Sequence, residues 1–572
     1  MTSDRSTSAA RPRATGDGVV LAAAAAVTVG AAGVWAWGGI AGVLFGNGWP
    51  RVSAGQMPRL LMRLPAHLAD PADAWPAAVR GGLPAGPGFY AALALALLLT
   101  GAISVGVVRL AGQAGMLGRP SGARWAQDGE LGALRGRRGG PGEGRLVLGR
   151  HHGRLLRAEA RHALVAFGPP QSGKSAGLAV PALLEWDGPT VASSIKTDLL
   201  ATTERRRRAL GEVFVFDPFG LAGAGGHTWS PLRASRTWDG ALETAWRLAA
   251  AGELDQKGVE GGDFWAVAAE QRLAPLLYIA SASELDMDAV VRWTYGQGTR
   301  ELDAAIAALT GSAAEPAQLE AAHAAYDALR AFEAQADRTR TSIEATAQGL
   351  LRAYRFRRVL ASARSCQITP DHLLDGRNTL YLIGDAKASK LLRPIFLALL
   401  GEIVDRAYER ATQAGGRLTL PLLLCLDEAG NVAPLPNLAE IASTAPSHNI
   451  QIVSIFHDLA QARSRYGRQA ETVVNSHRAR MLLPGVADLD TLRYFSDLVG
   501  EEEIRESSRT TGAGAGGGTR TSSRRRRPLL AAEALRQLPD RRALLLYGRL
   551  PPAEIALRMW FKDRRLRRLA AS

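Results

Sequence analysis

Short apolar runs, each bounded by turn-forming residues, recur along the chain from His162 onwards. Seven of them have the length of a buried strand: HALVAF (His162–Phe167), TVASSI (Thr190–Ile195), EVFVFDP (Glu212–Pro218), TLYLIGD (Thr379–Asp385), PLLLCLDE (Pro421–Glu428), IQIVSIF (Ile450–Phe456) and RARMLLPG (Arg478–Gly485). Continuous apolar runs are typical of parallel strands that are covered on both faces. Because helical periodicity separates them, the pattern predicts an α/β domain built on a parallel sheet.

Between about Trp238 and Gln348 the strand signals vanish. Alanine, glutamate, leucine and arginine recur there at helical periods, as in QLEAAHAAYDALRAFEAQ (Gln318–Gln335). This pattern predicts an all-α domain, residues 238–348, inserted into the α/β domain formed by residues 150–237 and 349–572.

Two arginine-rich segments carry no clear apolar periodicity. Residues 505–528 are rich in Ser, Thr and Gly and include Arg524–Arg527, which predicts a flexible basic loop. For this loop, a solvated linker and a DNA contact both stay open. Arg205–Arg208 is expected to lie on an exposed helix surface.

Near the N-terminus two stretches are free or nearly free of charge, residues 19–45 and 89–108. Each is long enough to cross a hydrocarbon core of ~30 Å as a helix. A signal peptide is a weaker explanation of the first stretch, because its apolar region is too long and a second stretch follows. We therefore predict two transmembrane helices in a cell membrane, with a tail (1–18) and a linker (109–149) in the cytoplasm and residues 46–88 outside.

Composition changes this picture only slightly. The 572 residues carry a formal net charge of +15, with 69 Lys plus Arg, which suits DNA or an anionic membrane lipid surface as partner. Arginine and alanine are abundant throughout the chain, however, so the charge is weak support. Cys366 and Cys425 are the only cysteines, which excludes a disulfide framework or a cysteine-rich metal site. The folded part is expected to be reduced and intracellular.

The run GPPQSGKS has the spacing of a phosphate-binding loop and lies between a predicted strand and a predicted helix. Backbone N–H groups in such a loop form an anion site, and the following helix N-terminus adds its dipole. Lys174 is assigned to the β and γ phosphates and Ser175 to Mg²⁺. The nucleotide-binding residues are therefore Gly168, Pro169, Pro170, Gln171, Ser172, Gly173, Lys174 and Ser175.

The apolar strand before Asp427 and Glu428 supplies the second half of a nucleotide hydrolase. At the carboxyl edge of the sheet Asp427 would hold Mg²⁺ opposite Ser175, and Glu428 would act as general base. This acidic pair favours an ATP-driven motor over a kinase or a GTPase. His457 and Gln461 follow the next strand and are candidates for sensing the γ phosphate, although a purely structural role is equally open for both.

The order of these motifs resembles the TraG/TraD group of conjugative coupling proteins, the ATPases of type IV secretion. The resemblance runs from about Gly122 to Arg564 and includes GARWA (Gly122–Ala126), the phosphate-binding loop, IKTDL (Ile195–Leu199), WSPL (Trp229–Leu232), DFWAVAAEQRLAPLLYIA (Asp263–Ala280), LLLCLDEAGN (Leu422–Asn431), HDLAQARSRYG (His457–Gly467) and LRQLPDRRALLLYGRLPP (Leu535–Pro552). It implies a membrane-anchored, RecA-like P-loop ATPase, expected to be a homohexamer, that uses ATP and Mg²⁺.

The resemblance also implies partners. Single-stranded DNA linked to a relaxase, or a secreted protein, would be handed to a secretion channel, and the helical insertion would recognise it. LPNLAEIASTAPSHNIQ (Leu435–Gln451) resembles the family segment that docks a relaxosome protein. In RecA-like motors a neighbouring subunit's arginine completes the site. Arg338, Arg340 and Arg480 are the candidates here.

Two positions depart from the family pattern. His457 stands where the family often has glutamine, and SIKTD (Ser194–Asp198) replaces an Asp-Pro-Lys-Gly-Glu run. Two other functions stay open. A DNA translocase similar to FtsK is disfavoured by the short basic C-terminus, and a membrane scaffold locked by nucleotide is disfavoured by the complete set of hydrolytic residues.

Overall fold

The computed structural model of the chain describes residues 17–113, 122–135, 144–223, 225–255, 262–311, 315–510 and 519–572. The chain divides into two compact units, Met1–Pro120 and Ser121–Ser572. Residues 1–16 of the predicted tail and part of the predicted linker lie outside the described residues. The domain boundaries drawn from the sequence stay predictions.

The first unit consists of two long helices and a joining segment. Its helices are α1 (Asp17–Phe45), α2 (Met57–Arg63), α3 (Ala77–Arg80) and α4 (Gly86–Gln113). Trp75 of the joining segment and Phe89 of α4 are buried, with ring centroids 5.0 Å apart. Gly38 of α1 allows this packing, because a Cβ there would lie 2.3 Å from the Trp75 ring. The joining segment therefore folds back onto α1.

The two predicted membrane spans coincide with α1 and α4, so both segments are helical. Among the residues described, however, no helix contains an apolar stretch long enough to cross a membrane. The two-span prediction is therefore not supported, and neither is the placement of 46–88 that depended on it.

The second unit contains all the described strands. They are β1 (Val147–His151), β2 (Arg154–Arg157), β3 (Ala163–Phe167), β4 (Thr190–Ser194), β5 (Val213–Phe216), β6 (Thr379–Ile383), β7 (Leu422–Leu426), β8 (Ile450–Phe456), β9 (Ala479–Leu482), β10 (Glu501–Thr510), β11 (Thr519–Pro528), β12 (Arg542–Tyr547) and β13 (Ala553–Ala556). All seven strands predicted from apolar runs are confirmed. Every residue of β3 to β8 is buried, as the continuous apolar runs required.

Eleven strands form one mixed sheet in the order β2-β1-β13-β12-β9-β3-β8-β7-β4-β6-β5. The segment from β9 to β5 is parallel, as predicted. The sheet is nevertheless mixed, because β12, β13, β1 and β2, which were not predicted, extend it by antiparallel pairing. Only short turns separate β1 from β2 and β12 from β13, and such turns can join only antiparallel neighbours.

Helices cover the sheet and fill the predicted insertion. The helices of the second unit are α5 (Val180–Glu185), α6 (Asp198–Arg208), α7 (Trp238–Asp255), α8 (Gly262–Ala282), α9 (Met287–Thr294), α10 (Thr299–Gly311), α11 (Pro316–Glu333), α12 (Asp337–Leu351), α13 (Arg357–Ala361), α14 (Pro370–Leu374), α15 (Ala386–Gln413), α16 (Leu438–Thr444), α17 (Leu459–Tyr466), α18 (Ala470–Ser476), α19 (Leu489–Val499), α20 (Ala532–Arg536) and α21 (Arg564–Ala571). Leu273 and Leu277 of α8 belong to the same apolar core as Val165 of β3 and Phe214 of β5. The inserted helices therefore share a core with one face of the sheet.

Residues 505–510 and 519–528 are not part of the flexible loop predicted from their composition. They continue β10 and form β11, which pair as a separate antiparallel ribbon, and residues 511–518 between them lie outside the described residues. Glu502 stands opposite Arg527, and its Oε1 accepts a hydrogen bond of 2.7 Å from Arg527 Nε. Such cross-strand charge pairs stabilise a ribbon. The composition did not reveal them because the partners are far apart in sequence.

Of the run Arg205–Arg208, Arg205 and Arg208 are exposed as predicted, whereas Arg207 is not. The guanidinium of Arg207 is fully buried and donates to the carbonyl oxygens of Trp186 and Gly188, at 2.7 Å each. Burial lowers the pKa of Arg207 to about 10. This arginine joins α6 to the chain around β4.

Candidate nucleotide site

The phosphate-binding loop follows β3, as the sequence predicted. Gly173 has φ +89° and Gln171 has φ +67°, so the chain turns through the left-handed region at two positions. A Cβ at Gly168 would lie 2.5 Å from Ser172 Oγ. These residues close the loop tightly, as a loop that cradles an anion requires.

The first turn after the loop is π-helical. It covers Ser175–Ala179 and continues directly into α5, with Val180 N–H donating to the Ser175 carbonyl. Such widened turns are frequent at functional sites. This turn sets the position of the Ser175 side chain relative to β7.

Asp427 follows the end of β7, and its Oδ2 accepts a hydrogen bond of 2.7 Å from Ser175 Oγ. Asp427 is 3 % exposed, and burial raises its pKa to about 6, against the opposing effect of the Ser175 hydrogen bond. The two residues predicted to share Mg²⁺ are therefore in contact. Oδ1 of Asp427 is buried without a hydrogen-bond partner among the described residues.

Lys174, Glu428 and His457 form a closed cluster beside this pair. Lys174 Nζ lies 2.6 Å from Glu428 Oε1 and 2.8 Å from His457 Nδ1, and His457 Nε2 lies 3.0 Å from Glu428 Oε2. Lys174 is 7 % exposed and Glu428 is 4 % exposed. Burial alone would raise the pKa of Glu428, but hydrogen bonds from His457 and Lys174 outweigh it and lower the pKa to about 2. The Glu428 carboxylate is thus held as an ion.

The backbone at Glu428 is strained. Its φ is +63°, a region that non-glycine residues rarely occupy outside functional sites. Ala429 N–H donates to the Ile455 carbonyl on β8 at 2.9 Å, and Asn431 Nδ2 donates to Glu428 Oε2 at 3.0 Å. These contacts hold the Glu428 carboxylate toward Lys174.

Gln461 acts on His457 and not on the acidic pair. Its Oε1 accepts a hydrogen bond of 2.8 Å from His457 N–H, and its own N–H donates to Asp458 Oδ1 at 2.7 Å. The Gln461 amide also lies against Gly430, where a Cβ would be 3.1 Å from it. In this structure His457 reaches the cluster with its ring, whereas Gln461 positions the backbone of His457.

The three candidate arginines lie on two separate elements. Arg480 is in β9, where its guanidinium donates to the carbonyls of Val474 and Asn475 at 3.1 and 3.0 Å. Arg338 and Arg340 lie in the first turns of α12. Arg340 Nη2 donates to Asp337 Oδ1 at 2.5 Å, whereas the Arg338 side chain is exposed. No contact among the described residues joins these arginines to Lys174 or Glu428.

The residues present fit a nucleoside triphosphate with Mg²⁺. Buried oxygens without partners among the described residues occur at Ser172 Oγ in the loop and at Asp427 Oδ1 facing it. A buried hydroxyl next to loop N–H groups suits a phosphate, and a buried carboxylate oxygen beside a serine hydroxyl suits Mg²⁺. Both are the ligand types expected for this cofactor pair.

The C-terminal segment supports the loop, which the sequence reasoning did not foresee. A Cβ at Gly173 would lie 2.8 Å from Met559 Cε, and Trp560 N–H donates to the Ala176 carbonyl at 3.1 Å. Arg558 is buried and pairs with Glu185 of α5 at 2.7 Å and with Asp563 at 3.1 Å. No local signal marks these residues, because their role depends on contacts across almost the whole chain.

One protein family and several known proteins match this chain. The family described as "Type IV secretory system Conjugative DNA transfer" matches residues 124–571. The conjugal transfer protein TraG of Escherichia coli is 25 % identical over 419 residues, which are 67 % of this chain and 63 % of that protein. The protein VirD4 of Rhizobium rhizogenes is 23 % identical over 472 residues, 78 % of this chain and 66 % of that protein. The chain thus spans less than two thirds of the length of these relatives.

Solved structures share the fold. The bacterial conjugative coupling protein TrwBdeltaN70 in its unbound monoclinic form has a TM-score of 0.55 and 17 % identity, covering 77 % of this chain and 93 % of that one. The plasmid coupling protein TrwB in complex with ADP and Mg²⁺ has a TM-score of 0.55 and 18 % identity, covering 77 % and 94 %. Because the family match covers most of the chain, the chain belongs to the type IV secretory conjugative DNA transfer family.

Proposed function

We propose, from this family membership and from the site around Lys174, that the chain is an ATPase that couples DNA to a type IV secretion channel and drives transfer by hydrolysis. The observation that carries the proposal is the convergence of Lys174, Ser175, Asp427 and Glu428 at one edge of the sheet. These residues come from two loops more than two hundred positions apart in sequence. Their residue types match those that bind phosphate, bind Mg²⁺ and activate water in phosphate-binding-loop hydrolases.

Each residue has a specific role in this proposal. Lys174 would hold the β and γ phosphates, and Ser175 with Asp427 would hold Mg²⁺, which neutralises phosphate charge during transfer. Glu428 would accept a proton from the attacking water. That role requires Lys174 to leave Glu428, since a carboxylate with a pKa near 2 is a weak base.

Nucleotide binding would draw Lys174 from Glu428 to the phosphates. Lys174 is buried and needs an anion near it, and a triphosphate offers more negative charge than one carboxylate. Once Lys174 has turned to the phosphates, Glu428 keeps the contact with His457 Nε2. His457 would then orient Glu428, and Gln461 would keep His457 in place through its backbone N–H.

The assembly and the partners belong to the same proposal. TraG is named a conjugal transfer protein and TrwB a coupling protein, which supports DNA, a relaxosome and a channel as partners here. The net charge of +15 is compatible with a DNA substrate. We further propose a homohexamer in which Arg338, Arg340 or Arg480 of one subunit reaches the nucleotide of its neighbour. Arg338 has an exposed side chain, whereas Arg340 and Arg480 donate hydrogen bonds to neighbouring residues of their own chain.

The test is ATP turnover by the full chain with and without single-stranded DNA. We expect DNA to raise turnover and Lys174→Ala to abolish it. Adding inactive Glu428→Gln subunits to wild-type protein should lower turnover more steeply than the fraction added, because each site needs two subunits. A strictly linear loss would contradict a ring of coupled subunits. No turnover under any condition would instead favour a scaffold that only binds nucleotide.

A further inference from the structure

A second cluster of potential ligands lies in a different part of the second unit. Asp128 precedes the short helix Gly132–Arg135, His151 is the last residue of β1, and His152 begins the turn to β2. One ligand atom from each of the three residues lies within 4.8 Å of the other two. Neither histidine contacts the residues of the nucleotide site described above.

The His151 ring is oriented for coordination. It is 6 % exposed, and its Nδ1 lies 2.9 Å from the Glu554 carbonyl oxygen on β13. A carbonyl can only accept, so Nδ1 is the donor in this contact, and in that tautomer the Nε2 lone pair can bind a metal. Nε2 is buried and has no hydrogen-bond partner among the described residues. It points toward Asp128, with 3.6 Å between Nε2 and Oδ1.

The spacing of the ligand atoms suits a small tetrahedral ion. His152 Nδ1 lies 3.2 Å from Asp128 Oδ1, and His151 Nε2 lies 3.6 Å from the same oxygen. Two ligands bound tetrahedrally at 2.0–2.1 Å are roughly 3.3 Å apart, so both separations are close to the value required. His152 adopts φ +46°, which places two consecutive imidazoles on one side of the turn.

Asp128 already pairs with a cation, because Arg135 Nη2 contacts the same Oδ1 that the two imidazoles approach. Arg135 and an ion would share this carboxylate, so the arginine competes with the ion for it. Two imidazoles and one carboxylate are ligands typical of zinc and similar divalent ions.

We propose that Asp128, His151 Nε2 and His152 Nδ1 bind one zinc-class divalent cation, with a fourth position open to water. The ion would join the segment around Asp128 to the turn between β1 and β2, and through His151 to β13. This segment follows directly on GARWA, so the ion would fix the beginning of the second unit onto the antiparallel edge of the sheet. Its role would be structural and independent of ATP.

The test uses the full chain, stripped with a chelator and then titrated with Zn²⁺ in the presence of excess Mg²⁺. We expect one high-affinity zinc per chain and, with Co²⁺ as probe, the visible bands of a tetrahedral site. At a free Zn²⁺ concentration of 100 times Kd, the melting temperature should rise by roughly 3 °C. None of these measurements depends on ATPase activity.

Three variants separate coordination from the surrounding hydrogen bonds. His151→Asn keeps a donor near the Glu554 carbonyl but removes Nε2, and should weaken zinc binding by about 100-fold or more. Arg135→Gln removes the competing guanidinium but no ligand, and should leave zinc binding equal or tighter. His323→Asn alters an exposed histidine on α11 and should change nothing.

Three results would overturn the proposal. Zinc binding that is absent from the wild-type chain would show that the cluster holds only ion pairs between imidazolium and carboxylate. Equal zinc binding by wild type and by a His151→Asn variant with an unchanged circular dichroism spectrum would place the ion elsewhere. Loss of binding in Arg135→Gln would also contradict the assigned ligand set.

Discussion

Replacing Glu428 by glutamine tests the central contact of the nucleotide site. The substitution keeps the shape of the side chain but removes the negative charge that Lys174 contacts at 2.6 Å. It also removes the base assigned to the attacking water. We therefore expect two opposite effects, tighter ATP binding and slower turnover.

The size of the first effect can be worked out from the structure. The pKa of Glu428 lies near 2 instead of the usual 4.5, and a shift of this size corresponds to about 3 kcal/mol in favour of the charged form. Glu428 is 4 % exposed, so solvent screening is small. In the glutamine variant, Lys174 no longer has to give up an ion pair with residue 428 in order to bind phosphate. Because His457 and Asn431 still contact the side chain, we expect ATP affinity to rise by about 10- to 100-fold.

The second effect comes from the loss of the base. A positioned general base contributes about 10²- to 10⁴-fold to a rate, so turnover should fall at least 10²-fold. The free protein should also melt at a lower temperature, since Lys174 is left buried without its anion. ATP with Mg²⁺ should restore most of that loss.

The measurements are ATP affinity by calorimetry, phosphate release, and melting temperature with and without nucleotide. Glu440→Gln, an exposed carboxylate on α16, is the matched control and should leave all three unchanged. Unchanged or weaker ATP binding in a folded Glu428→Gln protein would refute the competition between Glu428 and phosphate. Near-normal turnover would remove Glu428 from the role of base.

Two further predictions concern histidines. Because His457 bridges Lys174 and Glu428 through both ring nitrogens, His457→Gln should keep a large part of ATP turnover and His457→Ala should not; equal loss in both would mean that the imidazole itself is required. His162 and His477 are buried, and burial lowers the pKa of each to about 4 from 6.5. The unfolded chain therefore binds more protons than the folded chain between these values, so stability should fall as pH falls from 6.5 to 4, by about 3 kcal/mol for each histidine. Denaturant titrations of wild type and of a His162→Gln, His477→Gln double variant check this, and equal slopes in the two proteins would contradict it.

Much of the site could be predicted because its parts are encoded locally. The spacing from Gly168 to Ser175 predicts a phosphate-binding loop, and the apolar strand before Asp427 places an acidic residue at the same sheet edge. The structure places Ser175 and Asp427 in contact. Contacts between side chains that are remote in sequence could not be predicted in this way. The sequence indicated roles for Lys174 and Glu428 but not that they pair with each other in the nucleotide-free chain.

The amino-acid sequence by itself determined the seven buried strands, their parallel arrangement and the family of the chain, since apolar runs and loop glycines act over a few residues. Tertiary structure alone decided the antiparallel edge, the ribbon of β10 and β11, the burial of Arg207 and the contact of Met559 with Gly173. In each case the outcome depends on a partner that is remote in sequence. The free energy of burying a charged side chain depends on whether a partner pairs with it. Its burial therefore cannot be predicted from the neighbouring sequence when that partner is remote.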